Sequence, residues 1–477
     1  MKKKNLYLLS EITNREFESK VLLSITAASF NIRTFILDRT FFFENIKKFH
    51  PGIVMYKSIV EVDEKYIDII KNHGHKFLCL DEEGILTQKQ TYDLKFRHGQ
   101  NCLKKLDHMF FLNKYWLGLL KKNFKVENKK FSVTGFPRMQ FMKYLSRYND
   151  NISSDIKKKY GKFIFVPTSF PSNNIAGKNG FFESISLNFN NGMNLKQKKY
   201  VSLHLDFYLH YQHLYKKMLT KLISDNKNIN FVIRPHPGED NKFWEKNIIN
   251  LKNVFFDKNY ATSYWVKSSV CTLQFFSTIS IESFNMHKPI IEYMPKMPKK
   301  FQKKILMDYH RSFILRFSTY EKLNLLIKKI VKGKKVNLDM ISRNKYNKNF
   351  LSAQILEPAT EILKIIDTFD AIKTEKNLKI YSIFSKTNVY RFIFWLIAHL
   401  GILTLLPQKI LKGKFLVLKK ENIPFHKNHY KYKKKKYEVV TDERLKSVIE
   451  ICKKGLKLNR KKIEYKRIKG NNFVFLD

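Results

Sequence analysis

The sequence predicts an α/β protein of two doubly wound, Rossmann-like lobes, followed by a basic, partly helical C-terminal extension. Three observations carry that prediction. Short apolar runs alternate with longer amphipathic segments through residues 1–150. A polar, lysine-rich stretch at 148–162 breaks the alternation, which then restarts and continues to about residue 370. Strands separated by helices of this length need crossover connections, and crossovers build parallel sheets. The lobes are therefore assigned to 1–150 and 160–370, and the extension to 371–477. At 477 residues, two or three domains are expected from length alone.

In the first lobe, 6–9 reads as a strand and 15–30 has helical spacing, with Phe17, Val21, Leu22, Ile25 and Ala28 in register. Strand-like runs follow at 34–37, 53–55 and 76–80, with a helical 62–72 between the last two. Two more short strands, 109–112 and 131–134, flank a helical 114–123. The second lobe opens with a strand at 163–166, a Gly/Asn-rich loop at 173–194 and a long helix over 204–224. Strands are expected at 230–233, 254–256, 270–276 and 289–292, and helices at 320–331 and 353–367. Beyond 371 come an apolar stretch (392–406), a lysine run (431–436) and an amphipathic helix near 443–453. No repeat appears at solenoid periods.

The formal charge of +49 points to anionic partners of some kind. Of the 90 basic residues only 14 are arginine, and the lysines are spread along the whole chain. Duplex readers and phosphate clamps favour arginine's bidentate fork. Asn, Ile, Phe and Tyr are abundant too, the signature of AT-rich coding. Nucleic acid is therefore not the expected partner, and the remaining excess favours an anionic membrane face. Cys79, Cys102, Cys271 and Cys452 lie far apart with no CxxC pair, which fits a reducing compartment and neither a disulfide framework nor a zinc site. The apolar run after Lys4 is too short for a secretory signal. The stretch 392–406 falls short of the about twenty residues that span a bilayer. A cytoplasmic protein, peripheral on the membrane at most, is expected.

Ligands of open α/β sheets bind beyond the carboxyl ends of the strands, so those ends hold the candidates. After 230–233, Arg234-Pro235-His236-Pro237 is stiff, because two prolines fix the backbone and remove two donors. A phosphate there would meet the Arg234 fork, the His236 imidazole and the N–H groups of a helix expected just beyond. After 270–276, Ser277 and Thr278 precede a short helix carrying Glu282. Hydroxyls aimed at a phosphate, beside a carboxylate that accepts from ribose hydroxyls, make a donor site; the plainer alternative is ordinary N-capping. Glu282 lies four or five residues after the caps and forms no capping box. In the first lobe, Asp81-Glu82-Glu83-Gly84 puts three acids at a strand end. Either Glu82 or Glu83 can serve as general base for an acceptor hydroxyl, unless the segment is simply a solvated turn. There is no Asp-x-Asp, no GxGxxG after a strand and no GxxxxGK[ST]. The histidine groups His73/His75 and His204/His210/His213 lack partners at ligand spacing. No metal or cofactor is expected.

Together these segments resemble the bacterial surface carbohydrate biosynthesis proteins, a GT-B-like group akin to capsule polysaccharide Kdo transferases and CDP-glycerol glycerophosphotransferases. The resemblance rests on the Arg-Pro-His-Pro turn, then Ser277-Thr278 and Glu282 some forty residues later, before Lys288-Pro289. Further segments follow in the family's order: Arg15-Glu16-Phe17, Asp81-Glu82-Glu83-Gly84, Thr134-Gly135-Phe136-Pro137-Arg138 and Pro167-Thr168-Ser169-Phe170. It covers roughly residues 1–300; each motif is short, and their order is the more specific signal. Phe136 and Ser169 stand where the family has Asn, and Gln140 where it has Asp. The resemblance implies metal-independent transfer of a sugar or polyol-phosphate unit from a nucleotide-activated donor, with no cofactor. Arg234, His236, Ser277, Thr278 and Glu282 would hold the donor, and His236 with Glu82 or Glu83 would act in catalysis. Arg15, Gly135, Arg138 and Thr168 would lie between the lobes or on the acceptor side. The acceptor would be a glycan or glycolipid, with 392–406 and 431–436 resting on an anionic inner leaflet.

Two other readings compete. A non-enzymatic nucleic-acid-binding protein would use the Tyr/Lys-rich patch 430–437 for single strands. A nucleotide-sugar epimerase would share the two-lobed shape and need no acceptor, but it needs strand-end carboxylates not identified in the sequence.

Overall fold

A computed structural model of the chain describes residues 4–82, 97–173, 185–186, 188–246, 248, 251–275, 277–302, 314–334, 336, 357–370, 439–458 and 462–476. Glu83, the apolar stretch 392–406, the lysine run 431–436 and the patch 430–437 lie outside the described residues.

The first lobe runs β1 (Lys4–Ser10), α1 (Thr13–Ala27), β2 (Ile32–Asp38), α2 (Arg39–Asn45), β3 (Ile53–Tyr56), α3 (Glu64–Asn72) and β4 (Lys76–Leu80). It continues with α4 (Gln100–Lys105), β5 (His108–Phe111), α5 (Lys114–Asn123) and β6 (Phe131–Val133). Helices α6 (Pro137–Arg147) and α7 (Asn151–Tyr160) lead to the second lobe: β7 (Phe163–Pro167), α8 (Leu195–Ser224), β8 (Asn230–Arg234), α9 (Asn241–Glu245), β9 (Val254–Phe256) and α10 (Thr262–Ser268). There follow β10 (Cys271–Gln274), α11 (Ile279–Asn285), β11 (Ile290–Tyr293), α12 (Lys299–Gln302), β12 (Leu315–Phe317) and α13 (Tyr320–Val331). The remaining elements are α14 (Pro358–Asp367), α15 (Asp442–Gly455), β13 (Glu464–Lys469) and β14 (Asn472–Leu476).

Each lobe is built on one sheet. The first has the order β13-β14-β2-β1-β3-β4-β5-β6, parallel from β2 to β6. The second has the order β12-β11-β10-β7-β8-β9 and is parallel throughout. In both, the chain enters at an inner strand, winds to one edge and then to the other. The strand reversal lies between β1 and β3 in the first lobe and between β7 and β10 in the second. Helices cover both faces, so the strands are continuous apolar runs rather than alternating ones: β3 and β7 are buried over their whole length.

The polar stretch 148–162, expected as a break, is mostly the helix α7. Asp150 caps it by accepting the Ser153 N–H at 2.7 Å, and Ile152, Ile156 and Tyr160 face inward. The exposed lysines are its outer face, which is why the segment looked like a linker. One hydrophobic core runs through both lobes, joining Leu6, Phe17 and Leu145 to Phe163, Trp265 and Ile281.

The largest departure from expectation is at the C-terminal end. Residues 439–458 and 462–476 are not an extension but part of the first lobe. Strand β14 pairs antiparallel with β2, matching Phe473 to Ile36, Val474 to Phe35 and Phe475 to Thr34. Helix α15 packs on α1, and α14, expected in the second lobe, packs on α1 and α6. Val440, Leu445, Val448 and Cys452 are fully buried there.

Candidate functional site

At the carboxyl ends of β1, β3 and β4, beside the reversal of the first sheet, a small open recess lies at the surface. Leu9, Leu23, Met55, Tyr56 and Leu80 give it an apolar floor. Its polar wall is the first two turns of α1 (Arg15, Glu16, Ser19 and Lys20) with Lys57, Glu82 and Arg138. The expected acceptor-side residues Arg15, Glu82 and Arg138, from three separate motifs, thus meet in one place.

The two carboxyls of the recess sit in opposite environments. Glu16 accepts the N–H groups of Glu11 at 3.0 Å and Ile12 at 3.3 Å, and Lys20 Nζ at 2.9 Å. Ile12 is the N-cap of α1 and has no side-chain acceptor, so Glu16 caps the helix in its place. Burial works to raise the Glu16 pKa, but Lys20, Lys57 and Arg15 together hold it at about 2. Glu82 accepts the Ser19 hydroxyl at 3.0 Å and the Arg138 N–H at 3.0 Å. Burial pushes its carboxyl above the usual range, against the pull of Lys20 and Arg138.

Glu82 also explains a departure from the family pattern. Phe136 is the N-cap of α6 but makes no side-chain cap, and its ring is buried in the core. Glu82, from the end of β4, caps that helix instead. Gly135 precedes it at φ 71°, the left-handed region that favours glycine. Gln140 keeps an acceptor where the family has Asp: its Oε1 accepts the Ala359 N–H at 2.9 Å, capping α14.

Arg138 crosses between the lobes. Its side chain forms an ion pair with Glu282 of α11, whose carboxylate also accepts the Thr262 hydroxyl at 2.8 Å and 2.9 Å. Glu282, expected to face a ribose, is thus engaged by the first lobe.

In the second lobe the expected donor residues gather at the carboxyl ends of β8 and β10, but their tasks divide. Arg234 is 8% exposed and donates to the Asn259 carbonyl at 2.9 Å and the Tyr260 carbonyl at 2.8 Å. Arg234 thus braces a loop whose Tyr260 sits at φ 62°. His236 is exposed, and its Nδ1 accepts the Gly238 N–H at 3.1 Å. That bond puts the proton of the neutral ring on Nε2. The helix expected beyond the turn is only α9, and Asp240 already caps it by accepting the Lys242 N–H at 3.1 Å. At β10, Ser277 Oγ accepts the Ile279 N–H at 3.3 Å, while Thr278, the N-cap of α11, makes no side-chain cap. Thr168, after β7, donates its hydroxyl to Glu239 at 2.6 Å.

Comparison with known proteins gives no match to any family model, and no curated protein matches the chain by sequence. Solved structures similar in shape include the wall teichoic acid polymerase TagF, 12% identical over 76% of this chain and 88% of that chain, with a TM-score of 0.47. The Methanocaldococcus jannaschii UDP-GlcNAc 2-epimerase, solved with UDP-GlcNAc and UDP, is 10% identical over 76% of this chain and 99% of that chain, with a TM-score of 0.45. MnaA of S. aureus, solved with UDP, is 13% identical over 78% and 99%, with a TM-score of 0.47. The strand order of the two sheets carries the fold assignment. The architecture is GT-B-like.

Sequence reasoning missed Glu239, the hub between the ends of β7 and β8. Besides Thr168 it accepts the Phe170 N–H and, at 2.6 Å, the Trp244 indole N–H. Burial pushes its carboxyl up to about 7, against those hydrogen bonds. It stands two residues past the proline pair of the 234–237 turn, where an acid facing inward has no periodic signature. Arg444 was missed as well: it donates to Glu18 at 2.7 Å and 3.0 Å and to Asn14 Oδ1 at 2.5 Å, fastening the start of α1. Among the described residues no helix is long and apolar enough to cross a membrane.

Proposed function

We propose that the chain is a transferase of surface-carbohydrate assembly, moving a sugar or polyol-phosphate unit from a nucleotide-activated donor to a glycan or glycolipid acceptor. The observation that carries this reading is the recess at the first-lobe strand reversal, with its contrasting carboxyls. Groups whose environments drive their pKa values apart mark an acid–base assignment. Glu16, held ionised, is structural; Glu82, pushed upward yet half-buried at the recess wall, is the base.

In this reading Glu82 takes the proton of the acceptor hydroxyl as that oxygen attacks the donor. Negative charge then grows on the departing nucleotide phosphate. His236 Nε2–H, the Thr278 hydroxyl and Ser277 meet that charge from the second-lobe strand ends. Arg138 joins the two half-sites through Glu82 and Glu282. Arg234 and Thr168 act indirectly, by holding the loops that carry the donor contacts. No metal has a role in the scheme. The enzyme would work in the cytoplasm, at the inner leaflet, where a lipid-linked acceptor is presented.

The test is a thermal-shift screen with CMP-, CDP-, UDP- and GDP-linked compounds, followed by transfer assays with the stabilising donor. Glu82→Gln and His236→Ala should each lower turnover by about 10²-fold. Wild-type transfer by His236→Ala would defeat the donor assignment. Interconversion of the donor without an acceptor would assign an epimerase instead.

A further inference from the structure

We propose that Ser19 is a positioning residue for the reaction, turning its one hydroxyl hydrogen between Glu82 and the Glu16 carbonyl so that the Glu82 carboxyl keeps its orientation before and after it takes a proton. The inference rests on the transfer reading, in which Glu82 is the base.

Ser19 is buried on the recess side of α1. Its Oγ stands 3.0 Å from the Glu16 carbonyl oxygen and 3.0 Å from Oε2 of Glu82. A serine hydroxyl has one hydrogen to donate and two lone pairs with which to accept, and that hydrogen rotates to suit its partners. A carbonyl and a carboxylate can only accept. While Glu82 is ionised, the hydrogen therefore serves one of the two at a time, and the charged carboxylate makes the stronger bond. Both contacts are made at once when Glu82 carries a proton: its O–H donates to Ser19 Oγ, and Ser19 donates to the Glu16 carbonyl. The other carboxyl oxygen fixes where that proton rests. Oε1 accepts the Arg138 N–H at 3.0 Å, so the neutral acid keeps its carbonyl oxygen there and its hydroxyl at Oε2. In the transfer step the acceptor O–H bond breaks and the Glu82 Oε2–H bond forms. The Ser19 hydrogen swings to Glu16, no proton passes through Ser19, and the hydroxyl swings back when Glu82 releases its proton to solvent. The charged groups around Glu82 are Arg15, Glu16 and Lys20 of α1, Lys57 beyond β3 and Arg138 of α6. Burial favours the neutral acid, and Lys20 and Arg138 favour the carboxylate, so neither form is foreign to the site.

The test is a double-mutant cycle on the full chain, Ser19→Ala against Glu82→Met, with stability read by chemical denaturation from about pH 4 to about pH 8. Glu239 titrates in the same window, at about 7, but it holds Thr168, Phe170 and Trp244 and cancels from the cycle. The two substitutions should be coupled by roughly fivefold or more in the folding equilibrium constant at both ends of the series. Coupling confined to the alkaline end would mean that Ser19 serves the carboxylate alone, and no coupling that it serves only Glu16; either result overturns the inference. Should Glu82→Met fail to fold, Glu82→Gln takes its place, with the carboxamide oxygen on the Arg138 N–H and the NH2 group facing Ser19 as the neutral acid does. In that background Ser19→Ala should lower the folding equilibrium constant roughly threefold or more, and a neutral effect would overturn the inference. With a donor from the thermal-shift screen, Ser19→Ala should lower kcat roughly tenfold with KM unchanged, and Ser19→Thr should restore it. An unchanged kcat would remove the positioning role. The cycle needs no substrate, so a wild-type chain that transfers nothing would sink the transfer reading while the cycle still decides the two-way bond.

Discussion

Arg138 reaches Glu282 across the two lobes, while its own backbone N–H is held by Glu82. A single residue of α6 thereby connects the wall of the recess to the second-lobe strand-end segments. The pair is largely shielded from water, with side-chain exposures of 14% and 2%.

Breaking a shielded pair by removing one partner strands the other charge, which costs about 3 kcal/mol or more. Arg138→Met and Glu282→Leu should each destabilise the chain on that scale in urea titrations. The double variant should recover about 1–3 kcal/mol relative to the sum of the singles. Additive losses would show that the two residues do not act as a pair.

Arg234 should behave as a brace rather than a phosphate clamp. Its two carbonyl contacts hold a loop that places Tyr260 in the left-handed region, an uncommon position for a bulky residue. Arg234→Ala should therefore lower stability by about 2–4 kcal/mol. Unchanged stability with a selective loss of nucleotide affinity would restore the direct role expected from sequence.

Glu239 sets a pH dependence. Its folded pKa of about 7 lies above the ordinary carboxyl value, so the folded state holds this proton more tightly than the unfolded chain. The resulting stability is fully present below the ordinary value and disappears as pH rises through about 7. Over that window the wild type should lose on the order of 3 kcal/mol from this group. Glu239→Gln should lack that component, so its stability relative to the wild type should improve between pH 5 and pH 8 by chemical denaturation. Parallel profiles would reject the assignment.

Arg444 anchors the start of α1 from a helix that sequence reading assigned to an extension. It and Glu18 are 4% and 5% exposed, so Arg444→Met should cost about 3–5 kcal/mol. Arg444→Lys should not rescue it, because one ammonium cannot reproduce the guanidinium fork that grips Glu18 and Asn14 together. Rescue by lysine would mean that charge alone matters there.

The local grammar of the fold was legible. Helices α5 and α13 match their expected spans to the residue, and β8 ends where the candidate turn begins at Arg234, while β10 stops at Gln274, short of the expected strand end before Ser277. That information is carried by neighbours three or four positions apart. What was not legible depends on distant partners. Strand β14 closes on β2 through contacts such as Asn472 Oδ1 accepting the Asp38 N–H at 2.6 Å, and nothing local in 464–476 announces that pairing. The candidate site shows the same division. Periodicity and turn chemistry placed Arg234, Glu82 and Glu282 at strand ends or on the helix just beyond, but whether an acid or a guanidinium faces solvent, a cap or another lobe is decided in three dimensions. Gln140 looked like a defect against the family pattern until Ala359 supplied its partner.

The insertion of β14 beside β2 has a consequence for how the protein is made. Ribosomes deliver α1 and β2 early, and domains tend to fold in the order of synthesis. Here the strand that covers the flank of β2, and the arginine that pins α1, emerge more than four hundred residues later. Until then the nascent first lobe carries an uncovered sheet edge, an invitation to wrong pairing. The helix lining the recess would thus acquire its final setting only after these distant segments have been made.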